Sequence, residues 1–132
     1  MKPVPRPTPE TRPFWDGAAA GQLRIQRCLA CERHYFYPRP GCPRCGSDQV
    51  EWVTASGRGT LYSYVINHRP APGFEDETPY AIAVVELEEG VRMMTNLVGI
   101  EPTPENLPLD LPLRVVFEQR GEVWIPLWEV AR

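Results

Sequence analysis

The four cysteines of this 132-residue chain stand at positions 28, 31, 42 and 45, two Cys-x-x-Cys pairs with ten residues between them. A two-residue gap lets both sulfurs of a pair turn toward one point, while N–H groups of the tight turn face them. Two such knuckles complete the tetrahedron that zinc accepts at about 2.3 Å per Zn–S bond. Gly46, directly after the last cysteine, supplies the left-handed backbone that such a turn needs. Disulfides are the weaker alternative, because they need an oxidising compartment and cysteines three apart make strained partners. Iron is the sharper rival, since Cys42-Pro-Arg-Cys45-Gly also suits a rubredoxin-like electron carrier. One structural zinc held by Cys28, Cys31, Cys42 and Cys45 is the expectation. Four thiolates close the coordination shell, so the ion serves folding and offers substrate no open position.

Between the knuckles, His34 is surplus to a filled shell and is assigned to packing or surface. Tyr35, Phe36 and Tyr37 read as a short ribbon strand and its small aromatic core, and Pro38, Arg39, Pro40 and Gly41 turn the chain back. Before the ribbon, prolines at 3, 5, 7 and 9 predict an extended or polyproline-like arm, mobile unless a partner fixes it. Pro13 then suits a first helical turn, Ala18 to Ala20 favour helix, and Gly21 ends it.

Beyond residue 50 the apolar pattern changes to period two. Residues 59–68 read as one strand, with Leu61, Ser63 and Val65 on one face and Tyr62, Tyr64 and Ile66 on the other. Residues 80–100 read as a hairpin turning at Glu88 to Gly90, and 113–130 as another turning at Arg120 and Gly121. Pro126 fits only an edge or a bulge there. With a strand at 50–55, about six short strands and no long helix predict a small closed barrel, the oligonucleotide/oligosaccharide-binding (OB) type being the best candidate. The fold class is therefore mainly β: an N-terminal helix, a rubredoxin-like zinc ribbon and a C-terminal OB-fold barrel. The expected division is 1–26 for the arm and helix, 27–49 for the ribbon and 50–132 for the barrel. Proline-rich stretches at 69–79 and 101–112 are long connections, either functional loops or simple crossovers.

A net charge of −3 and a pI near 5.4 disfavour a polyanion as main partner. No apolar run is long enough to span a bilayer and the first ten residues lack the build of a secretory signal, so the expectation is a cytoplasmic protein with no membrane partner.

Taken in order, the Phe14-Trp15 helix, Leu23 to Cys31, Pro38 to Ser47, Trp52, Ser56 to Tyr64, Pro79 to Met93 and Arg114 to Glu118 resemble the zinc-ribbon plus OB-fold family that accompanies thiolase-like proteins. Glu32 departs from the glycine many relatives carry after the first knuckle, without touching a ligand. The resemblance implies a non-catalytic accessory subunit in a hetero-oligomer with a thiolase-like, lipid-transfer-type enzyme acting on acyl-CoA. It also implies a part in an acyl-CoA aldolase (carbon–carbon lyase) or thiolase-type complex, the steroid side-chain aldolase first among them. Some relatives instead belong to hydratase subunits of bacterial steroid degradation.

The residues agree that chemistry is carried elsewhere. The cysteines are committed to metal, Lys2 is the only lysine, and no activated nucleophile is visible. Arg58, His68, Arg69 and Phe74 are the candidates to face acyl-CoA, because a CoA thioester needs one or two arginines and apolar contact along its arm. Phe14 and Trp15 are the candidate partner interface. The alternative is a single-stranded nucleic-acid module in which Tyr62, Tyr64, Trp124 and Trp128 stack bases.

Overall fold

The computed structural model describes residues 2–131. Helix α1 (Arg12–Ala19) leads into β1 (Arg24–Cys28), β2 (His34–Tyr35) and β3 (Val50–Thr54); β4 (Arg58–Asn67), β5 (Tyr80–Leu87), β6 (Arg92–Asn96), β7 (Pro112–Arg120) and β8 (Val123–Val130) follow. Pro13 occupies the first turn of α1, and Gly21, at φ +75°, takes the left-handed conformation just beyond its end.

The strands form two antiparallel sheets, one ordered β2-β1-β3 and the other β6-β5-β4-β7-β8. The strand expected at 50–55 belongs to the ribbon and not to the barrel. Its whole length pairs with β1, from Arg24 opposite Thr54 to Cys28 opposite Val50. β1 therefore straddles the expected boundary at 26/27, and β3, a ribbon strand, lies wholly beyond the one expected at 49/50.

Ten-residue β4 is the hub of the larger sheet. Its first three residues pair with β7, Arg58 opposite Arg114, and from Gly59 onward it pairs with β5. The sheet curls until β6 meets β8, where the Val98 N–H donates to the Trp128 carbonyl at 2.9 Å and the Thr95 hydroxyl to the Pro126 carbonyl at 3.4 Å. This closes the five-stranded OB barrel. Pro126 sits on β8, at the sheet's edge, where no ladder N–H is required of it. The second hairpin turns one residue later than expected, at Gly121 and Glu122.

A bulge between Leu61 and Ser63 revises the face assignment of β4. One extra residue reverses the alternation beyond it. Leu61 is fully buried and Tyr64 packs against the core, whereas Val65 is 59% exposed. Leu61, Val85, Leu113 and Trp128 form the barrel's centre, and Phe14, Leu23 and Ile25 from the helix and the ribbon's base join the same cluster. Ribbon and barrel thus share one core.

The 101–112 connection is structural. Leu107 is buried within the core, and Asp110 and Leu111 exchange backbone hydrogen bonds with Leu61 at 2.8 and 3.0 Å. The proline-rich arm is extended as expected, but it lies against its own barrel. Lys2 pairs with Glu77 at 2.7 Å, and Val4 packs over Gly121.

Gly59 marks the tightest strand approach, since a Cβ there would lie 2.6 Å from the Glu86 carbonyl oxygen and 2.8 Å from a Val85 methyl. Gly59→Ala must push β4 from β5 and is expected to destabilise the chain by about 1–3 kcal/mol, read as a lower urea midpoint at unchanged slope.

Candidate metal centre and contact surfaces

Cys28 ends β1, Cys31 follows one turn later, and Cys42 and Cys45 occupy the second knuckle. All four Sγ atoms lie within 4.8 Å of one another. The Cys28–Cys45 separation is 3.5 Å and Cys31–Cys42 is 3.7 Å, near the edge of about 3.8 Å for a tetrahedron with zinc–sulfur bonds of about 2.3 Å. Backbone N–H groups point at the sulfurs as a knuckle requires: Cys31 donates to Cys28 Sγ at 3.5 Å and Arg44 to Cys42 Sγ at 3.4 Å.

The electrostatics ask for a cation. The N–H groups of Cys45 and Arg44 hold the Cys42 thiol down at about 6, and that of Cys31 lowers Cys28. The Ser47 N–H favours the Cys45 thiolate, yet the Cys28, Cys42 and Cys31 sulfurs together with burial push Cys45 up to about 11. Like charges converging on one point cannot all ionise unaided, and a divalent ion removes that conflict. The donor set fits zinc, as expected from the spacing, and leaves no position for a further ligand.

His34 pairs with Arg27 across β1 and β2, outside the sulfur cluster. Tyr35 is buried beside the cysteines. Its hydroxyl donates to the Arg39 carbonyl at 2.9 Å, and burial, then the Cys42 and Cys28 charges, raise its pKa. The Arg39 N–H donates to Gln26 Oε1 at 2.7 Å, tying the inter-knuckle loop to β1. Neither link was visible in the sequence.

The four residues expected to face acyl-CoA do not form one site. Arg58 begins β4, whereas His68 and Arg69 follow its far end, roughly 30 Å away along a strand of this length. His68 and Arg69 are exposed. Phe74 belongs to their end, stacked on Tyr80 with centroids 5.3 Å apart and overlaid by Lys2 and Arg120. Arg58 instead lines a cavity of about 640 Å³ with Arg114, a residue the sequence reading missed.

Of the expected interface pair, Phe14 is 5% exposed inside the core and Trp15 is half-buried beside it. The aromatics proposed to stack bases share no platform. Trp128 is fully buried, Tyr64 packs on the core, Trp124 is half-buried on β8, and exposed Tyr62 is covered by the Arg92 guanidinium at 3.7 Å.

Comparison with known proteins divides the chain into the same two parts, with the break inside β3. Residues 15–51 match the model of the ChsH2 rubredoxin-like zinc ribbon domain and residues 52–118 that of the ChsH2 C-terminal OB-fold domain. The chain belongs to the ChsH2 zinc-ribbon/OB-fold family. A probable enoyl-CoA hydratase alpha subunit of Thermomonospora curvata is 41% identical over 89% of this chain and 37% of its own length. The 3-oxo-4,17-pregnadiene-20-carboxyl-CoA hydratase alpha subunit of Mycobacterium tuberculosis is 38% identical over 95% of this chain and 39% of its own. The chain therefore spans about two fifths of these curated relatives. A chain of the solved Ltp2-ChsH2(DUF35) aldolase superposes with a TM-score of 0.82 at 36% identity, covering 96% of this chain and 98% of that one. The ChsH2 ribbon and barrel are thus both present here, in the same order.

Proposed function

We propose that the chain is a non-catalytic accessory subunit that binds a thiolase-like, lipid-transfer-type enzyme and helps form or stabilise its acyl-CoA site. The specific assembly we propose is a steroid side-chain acyl-CoA aldolase complex in the cytoplasm. The observation that carries this reading is the near end-to-end superposition on a chain of the Ltp2-ChsH2(DUF35) aldolase. The name of the Mycobacterium tuberculosis relative, a hydratase of a steroid acyl-CoA, supports the substrate class. The site chemistry agrees, because a closed thiolate shell does not activate substrate. No helix among the described residues is long and apolar enough to cross a membrane.

Co-expression with a thiolase-like protein is expected to yield one complex on gel filtration, with retro-aldol cleavage of a steroid acyl-CoA by the pair and by neither chain alone. Separate elution of the two proteins refutes the subunit role. Within an active complex, Arg69→Ala is expected to raise the apparent KM for acyl-CoA with kcat held; an unchanged KM removes Arg69 from the site.

The nucleic-acid alternative loses its main support with the scattered aromatics. Stacking platforms need neighbouring cations, and Arg92 and Arg120 are each paired with a carboxylate, Glu86 and Glu118.

A further inference from the structure

Arg58 and Arg114 are direct register partners on β4 and β7. Directly opposed residues of an antiparallel pair project from the same face with Cα atoms about 5 Å apart, and like charges so placed repel. Arg114 is relieved, for its guanidinium holds the Glu129 carboxylate at 2.5 and 2.6 Å. Arg58 is exposed, and its guanidinium makes no ion pair or hydrogen bond among the described residues. A fold that places an unneutralised guanidinium against another keeps a local conflict that a bound anion would resolve.

The two arginines open onto the cavity of about 640 Å³, within the usual size of ligand sites. Pro112 and Ala131 give it apolar lining, the strand backbone at Leu87 and Leu113, whose side chains are buried in the core, floors it, and Thr60 adds a hydroxyl. Glu86 and Glu88 also line it; Glu86 is engaged by Arg92 at 3.8 Å, and Glu88, whose backbone N–H donates to the Arg58 carbonyl at 3.1 Å, is exposed beside Arg58 without an ion pair to it. Gly59 lies between Arg58 and Thr60, and its lack of a side chain lets β4 and β5 close beneath the cavity.

We propose that this cavity binds the phosphate groups of a coenzyme A thioester, with Arg58 as the principal anion contact and Arg114, oriented by Glu129, as the second. Guanidinium is suited to this because its fork of donors matches phosphate oxygens in pairs. The apolar lining accepts the adenine or the pantetheine arm. One free cation beside one shared cation suits a single nucleotide-like head and not a polyanion, whose binding needs a continuous basic track. Identification of the phosphate donor as CoA rests on the acyl-CoA reading above; the anion site itself rests on the strand register and the cavity.

The test is calorimetric titration of the zinc-loaded full chain, with backbone amide shifts to locate the ligand. Adenosine 3′,5′-bisphosphate is expected to bind, to shift the amides of Arg58, Thr60 and Arg114, and to be displaced by CoA. Dephospho-CoA and inorganic phosphate are expected to bind more weakly. Arg58→Gln is expected to weaken bisphosphate binding about tenfold or more, and Arg58→Lys to recover only part of it. Arg33→Gln, an exposed ribbon change, leaves binding intact. Arg114→Gln frees Glu129 beside the cavity and also weakens binding; it keeps the test decisive if Arg58→Gln folds poorly. The proposal is overturned by absence of binding, by shifts confined to Arg69 and Phe74, by unaltered affinity in Arg58→Gln and Arg114→Gln, or by tighter binding of a single-stranded oligonucleotide. Loss of this site would leave co-elution with a thiolase-like protein unaffected, so its failure is distinguishable from failure of the subunit role.

Discussion

Cys42→Ser, or removal of the metal with a strong chelator at neutral pH, is expected to unfold residues 28–49 as a unit. This stretch has little else to hold it. Its only complete strand is the two-residue β2, and its loops are closed by five backbone hydrogen bonds, from Cys28 to Arg33, Leu29 to Gln49, Glu32 to Cys28, Cys42 to Ser47 and Gly46 to Cys42, together with the Tyr35 and Arg39 links to the inter-knuckle loop. Its buried residues are chiefly Cys28, Tyr35, Pro38 and Cys42. Structural zinc contributes about 10–16 kcal/mol of apparent binding free energy in zinc-finger peptides, comparable with the whole stability of an ordinary domain at about 5–15 kcal/mol. The native chain should carry one zinc and be colourless, and Cys42→Ser should carry almost none. Hydrogen exchange should then show residues 28–49 unprotected. The strands β4 to β8 should remain folded with reduced protection, because Leu23 and Ile25 belong to the barrel's own core cluster. Re-addition of zinc to chelated protein should restore the ribbon. Acidification should release the metal too, since protons compete for the thiolates and affinity falls with pH. A metal-free protein with an intact ribbon refutes this account, as do visible colour from bound iron or oxidised cysteine pairs.

The centre was legible because its information is local. Two knuckles with two-residue gaps specify ligand type, number and turn chemistry within eighteen consecutive residues, and the resulting sulfur cluster matches. The helix and the Glu88–Gly90 turn were legible for the same reason, as Pro13, Gly21 and Gly90 sit where local backbone conformation demands them. The sequence does not show registration between distant strands. Period two in residues 59–68 predicts alternation, but a single bulge residue after Leu61 turns Tyr64 inward and Val65 outward. Val50 to Thr54 reads as a strand in isolation, yet its sheet is decided by pairing with β1 across the whole ribbon.

The same limit explains the mixed outcome for the contact residues. Arg58 precedes the predicted strand that His68 ends, and only that strand's length shows that they occupy opposite ends of the barrel. Arg114 gains meaning by standing beside Arg58, a neighbour 56 positions away in the chain. Lys2, in an arm read as free, reaches Glu77 through the path of the proline-rich loop. In each case the residue type was readable and its neighbour was not.

Phe14 shows how such a neighbourhood decides between a partner surface and a core. Its ring meets Trp15 edge-on with centroids 4.9 Å apart and Phe36 at 5.6 Å, so one side chain joins α1 to the ribbon's aromatics and to the cluster around Trp128. Phe14→Ala is therefore expected to destabilise the isolated chain by about 3–5 kcal/mol, the usual cost of emptying a buried aromatic site. Urea unfolding should show this as a lower midpoint with the slope unchanged. Trp15→Ala, at a half-exposed position on the same helix, should cost less in stability and weaken association with the thiolase-like protein more. A surface role for Phe14 predicts the opposite pattern: unchanged unfolding and lost association. Measuring both variants by both assays separates the two, because burial acts on the free chain whereas an interface contact acts only once the partner is present.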